Sequence, residues 1–158
     1  MPIPALQTNM TLVPWPCTPV VDVHTHLNSD NGAGWDNRPV SELLSVLDQL
    51  RVKAVVDLDG GWSENILNQH LDYFKSAAPE RFAVFGGVDW EEWAIRRNAF
   101  PDWAAKRLRI QSGRGADGLK IWKIFGLHVK NPEGNVAAVD DPRLDVIWET
   151  AGNWGFRC

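Results

Sequence analysis

The stretch VVDVHTHLN, Val20–Asn28, sets His24 and His26 one residue apart at the end of an apolar, β-branched run. Side chains alternate across a strand, so the spacing puts both imidazoles on one face with Asp22. Val21, Val23 and Thr25 then turn to the other face, where the valines suit packing against helices. Two imidazoles one strand pitch apart can bind a single divalent metal ion. The plainer alternative is a pair of half-buried histidines that merely finish a strand.

The chain holds four histidines in all. His70 falls in the middle of SENILNQHLDYF and reads as a surface or helix-packing residue. His128 follows the fourth apolar run on the side where loops leave the strands, and is a candidate substrate contact.

Such a pair needs a scaffold, and the chain supplies alternating strand and helix patterns. After VVDVHTHL and the loop NSDNGAGWDNRP, the segment VSELLSVLDQL repeats Leu43, Leu44, Leu47 and Leu50 at helical spacing, with Pro39 at its first turn. VKAVVDLDGG is a second strand. It is followed by a helix with Ser63 as cap and Ile66, Leu67, Leu71 and Phe74 on one face. FAVFGGVD is a third strand, and DWEEWAIRRNAFPDWAAKRLRIQSG a helical region interrupted at Pro101, with Asp89 and Glu92 spaced as a capping box. GLKIW carries the fourth strand. DDPRLDVIWETAGNWG then makes a helix capped by Asp141, opened by Pro142 and ended near Gly152 or Gly155.

Four βα units with apolar strands predict an α/β fold, a parallel sheet covered by helices. Residues 1–19 carry five prolines and no helical period, and are expected to form an extended arm laid across the bottom of the domain. The predicted organisation is therefore a proline-rich arm, 1–19, and a partial barrel, 20–158.

In parallel α/β folds the functional residues gather where strands run into loops. His24 and His26 sit at such an end, as do Asp57, Asp59 and Asp89. On the fourth strand, Leu119 and Ile121 in phase against helices leave Lys120 and Trp122 facing the interior. An inward lysine is costly unless paired or bound, so Lys120 is a candidate metal-site residue and Trp122 a candidate substrate contact. The alternatives are an ion pair of Lys120 with Asp57 or Asp89, and a capping role alone for Asp89. The chain has nine tryptophans, and the others, among them Trp90, Trp93, Trp103 and Trp148, suit core or interface packing. GRGADG, Gly113–Gly118, matches a dinucleotide-binding pattern in letters only, because it closes a helix and precedes a strand.

Composition narrows the partners. A net charge of -4 and no Lys/Arg-rich run argue against nucleic acid. No apolar run approaches the roughly 20 residues of a membrane span, and the N-terminus lacks the pattern of a signal peptide, so the cytoplasm is the expected location. Cys17 and Cys158 are read as free thiols.

VDVHTHL resembles the first strand of the amidohydrolase superfamily, metal-dependent enzymes on a (β/α)8 barrel. GLKIWKIFGL with DDPRLDVIWETAGNWG resembles the amidohydrolase-related branch that includes aminocarboxymuconate-semialdehyde decarboxylase-like proteins. The resemblance runs from about Val20 to the end of the chain. It implies a divalent metal, zinc or manganese, held by His24 and His26, with Lys120 nearest to the lysine that is carboxylated in binuclear members. The family's further histidines, and the aspartate that does its acid–base work, come from strands that would lie beyond Cys158. The chain is thus expected to be the N-terminal half of a TIM-type barrel, inactive alone. Its parent would be a hydrolase or decarboxylase acting on C–N, C–O or C–C bonds of a small molecule. Two other readings stand beside it: a non-catalytic half-barrel that acts by association, as a homo-oligomer, and a barrel phosphoesterase.

Overall fold

The computed structural model describes residues 16–153. Most of the expected arm, Cys158 and the alternative helix end at Gly155 lie outside them. Four strands, β1 (Val20–Thr25), β2 (Val52–Asp57), β3 (Phe82–Gly87) and β4 (Gly118–Lys120), form one parallel sheet in chain order. The sheet curls as a half-barrel, so the chain is an α/β protein.

The helices are α1 (Val40–Gln49), α2 (Glu64–His70), α3 (Glu92–Arg96), α4 (Phe100–Gly113) and α5 (Asp145–Gly152). Ser63 caps α2 by accepting from the Ile66 N–H at 3.2 Å. Asp141 caps a 3-10 turn, Pro142–Leu144, that leads into α5. Among the described residues no helix is long and apolar enough to cross a membrane. Cys17 is a free, exposed thiol.

The pairing register fixes which side each strand residue faces. Val55 and Asp57 of β2 align with Phe82 and Val84 of β3, and Gly86 aligns with Leu119 of β4. This set lies on the helix side. Val55, Phe82 and Val84 join Leu43, Leu47, Leu67 and Phe74 in one core cluster, and Leu119 packs on a second, built around Trp93, Phe100, Leu108 and Ile147. Gly87 aligns with Lys120, so Lys120 faces the opposite, open side. The strand-four phase read from the sequence is therefore the observed one, although β4 stops at Lys120 and Ile121 is 40% exposed.

Four expectations need correction. Val21 and Val23 are 49% and 68% exposed, because the first core takes Val55 from β2 and Leu27 from beyond β1, but nothing from β1 itself. The register also slips between Asp22 and Thr25, which align with Val55 and Asp57, so three residues of β1 span two of β2. The irregularity breaks the alternation that would line Asp22 up with both histidines, and the Asp22 carboxylate instead accepts the His24 N–H of its own strand at 3.0 Å. Finally, Asp89 accepts from the Glu91 N–H at 3.1 Å while Glu92 pairs with Arg96, so the predicted capping box does not form. The helical break comes at Arg97, whose φ is 51°, and Pro101 opens α4 instead of interrupting it.

Candidate metal-binding site

Asp59 follows β2 in a 3-10 turn, Asp59–Gly61, and is wholly buried. Its Oδ2 accepts the main-chain N–H groups of Leu27 and Asn28, at 2.7 and 2.8 Å. Its Oδ1 accepts from Asn31 Nδ2 at 2.8 Å and lies 2.6 Å from His26 Nδ1. One carboxylate thus ties the chain leaving β1 to the chain leaving β2.

His26 is partly exposed, its side chain at 28%. The His24 ring, on an exposed stretch of β1, lies 5.4 Å from it, edge to face. Trp122 stacks on His26 at 5.8 Å, and the Lys120 Nζ lies 5.0 Å from the Trp122 ring centre. His24, His26, Lys120 and Trp122 therefore form one connected group on the strand-end side. Lys120 forms no ion pair among the described residues, neither with Asp57 nor with Asp89; its partner is the indole face. His128 is exposed in the turns after β4 and, among the described residues, makes no side-chain bond or ring contact with this group, whereas its place in the sequence had suggested one.

Glycines let this end close. A Cβ on Gly61 would lie 2.9 Å from Lys120 Cβ and 3.0 Å from Trp122 Nε1, and one on Gly87 would lie 2.7 Å from Gly61 Cα. The turn after β2 can lie on β3 and β4 only without side chains at these two positions.

The structure adds residues that sequence reasoning passed over. His70 is fully buried, its Nδ1 2.5 Å from Asp57 Oδ2. The reading as a surface residue fails, and the helix-packing alternative holds. The signal was present: Leu67, His70, Leu71 and Phe74 follow the spacing of one buried helical stripe, and His70 occupies a core position in it. Asp57 Oδ1 in turn accepts the Asp59 N–H at 3.1 Å. Asp57, Asp59 and His70 offer ligand atoms within 4.8 Å of one another, and this buried group could hold a metal ion. The Asp57 and Asp59 carboxylate oxygens and His70 Nδ1 already serve the hydrogen bonds just described, while His70 Nε2 is buried without a partner. Trp62 was also missed; it is 56% exposed and lies against Trp122, ring centres 4.1 Å apart and the planes tilted by 39°.

No family model matches the chain, and no curated protein or solved structure matches it. Fold and geometry define the class on their own: a parallel α/β protein with a buried group, Asp57, Asp59 and His70, that could hold a metal ion.

Proposed function

We propose that the chain is the N-terminal, metal-binding part of an amidohydrolase-type barrel, a hydrolase or decarboxylase of small molecules. The observation that carries this reading is the 2.6 Å contact between His26 Nδ1 and Asp59. Metal-binding histidines characteristically give their other ring N–H to a carboxylate, which fixes the tautomer and orients the ring. Asp59 stands in that relation to His26, and leaves Nε2 as the ligand atom.

His24 and His26 would hold the ion, with Lys120 as the further candidate near Trp122. The donor set fits: two imidazoles beside each other, one already oriented, suit zinc or manganese. A bound ion would polarise a carbonyl or carboxylate and lower the pKa of its water. The chain's own residues contribute orientation: Asp59 holds His26, while Trp122 and Trp62 form an aromatic wall beside it for a small-molecule substrate.

Isothermal titration of the chain with Zn2+ and with Mn2+ tests the reading. One site, lost in His26→Ala, supports it; heat traces indistinguishable from buffer for both ions refute it.

A second reading has its own observation. Among the described residues β1 pairs with β2 alone and exposes Val20, Val21 and Val23, an open edge suited to association with a second copy. A monomer by light scattering at high concentration would remove it.

A further inference from the structure

We infer that Asp59 is the positioning residue of His26, and that the buried pair Asp57–His70 positions Asp59. This inference rests on the metal-binding reading of His26 and extends it to a line of four residues. The line runs from His70 Nδ1 to Asp57 Oδ2 at 2.5 Å, from Asp57 Oδ1 to the Asp59 N–H at 3.1 Å, and from Asp59 Oδ1 to His26 Nδ1 at 2.6 Å.

Donor and acceptor roles set its direction. Leu27 N, Asn28 N and Asn31 Nδ2 face Asp59 only as donors. A carboxylate surrounded in this way offers His26 an acceptor, so the ring hydrogen sits on Nδ1 and the lone pair on Nε2. That is the tautomer a metal ligand needs.

Packing alone does not account for His70. Its place in the stripe between Leu67, Leu71 and Phe74 would suit a leucine, and its Nε2 is buried without a hydrogen-bond partner. A bare polar atom in a core is a cost, and what the imidazole adds over leucine is its bond to Asp57. Through Asp57 that bond reaches the Asp59 main chain. His70 thus acts on the strand-end site from the opposite face of the sheet.

The test uses the full 158-residue chain, 15N-labelled, at one neutral pH. Long-range 1H–15N spectra of the imidazoles, recorded without metal, are expected to show His26 protonated at Nδ1 and bare at Nε2. A His26 protonated at Nε2 in the wild-type chain overturns the inference, whatever the variants do. In His70→Leu the Nδ1-protonated form of His26 should lose its dominance, and Zn2+ affinity should fall about tenfold. His70→Asn, which keeps a donor near the Nδ1 position, should restore most of both. A folded His70→Leu with unchanged His26 spectrum and unchanged affinity overturns the part assigned to His70. If the wild-type chain binds neither Zn2+ nor Mn2+, the metal reading fails, while the metal-free spectra still decide the positioning.

Discussion

His26 and Asp59 lie 33 residues apart in sequence, yet their side chains meet at 2.6 Å, and through them the ends of β1 and β2 are joined. The same carboxylate also satisfies two main-chain N–H groups of the loop after β1. Anchoring the loop and orienting the histidine are thus tasks of a single residue.

Asp59→Ala should therefore be among the most damaging single changes. It leaves the N–H groups of Leu27 and Asn28 without an acceptor in a buried setting, at about 3 kcal/mol or more in total. Urea unfolding of the variant should show a midpoint shifted by that amount. A shift below about 0.5 kcal/mol would mean that the loop does not depend on Asp59.

His24 separates binding from stability. It lies on an exposed stretch of β1 and its ring makes no hydrogen bond among the described residues. His24→Ala should change unfolding free energy by no more than about 0.5 kcal/mol while weakening Zn2+ binding at least tenfold. Thermal melts with and without the ion show both effects: the variant should match wild type without zinc and lose the zinc-induced rise in Tm.

The close approach of the turn after β2 to β3 gives a third test. The Cβ of Gly87→Ala would fall 2.7 Å from Gly61 Cα and 2.8 Å from Gly61 O, against main chain that cannot rotate away. A cost of about 2 kcal/mol is expected. Because Gly61 lies against Lys120 and Trp122, tryptophan fluorescence should change as well. An unperturbed spectrum with wild-type stability would contradict the packing described.

The cap of the 3-10 turn before α5 carries a pH dependence. Hydrogen bonds from Arg143 hold the Asp141 carboxyl below the usual carboxylate range, opposed by partial burial. A carboxylate lowered in the folded state stabilises fully above its unfolded pKa, about 3.9, and that contribution disappears as pH falls through the lower folded value. Wild type should exceed Asp141→Ala by about 1 kcal/mol at neutral pH, with the gap closing below about pH 4. A gap independent of pH down to acid unfolding would show that the charge of Asp141 contributes nothing.

What the sequence made legible follows from the range of the signals. Alternation and helical spacing are local, so the βα order, the Ser63 and Asp141 caps and the inward phase of Lys120 could all be read before any contact was known. The slip in β1 is a property of two strands together, which is why Asp22 was wrongly grouped with His24 and His26. His70 was set aside for its distance from any strand end, but a helix lying back along its own strand brings its second turn over that strand. A histidine within a stripe of leucines and phenylalanine was the available clue. Asp59 was recognised as a strand-end residue; its bond to His26 depends on how two loops fold over each other, which spacing does not encode.

The central claim is that a divalent metal binds at His24 and His26, with Asp59 behind them, and not at the buried group of Asp57, Asp59 and His70. Titrating Zn2+ into the 15N-labelled chain while following all four imidazoles tests it most directly. The account predicts that by one equivalent the His24 and His26 Nε2 resonances move to metal-bound positions while His70 stays in place. Movement of His70 with His24 and His26 unchanged, or no movement at all, would contradict it.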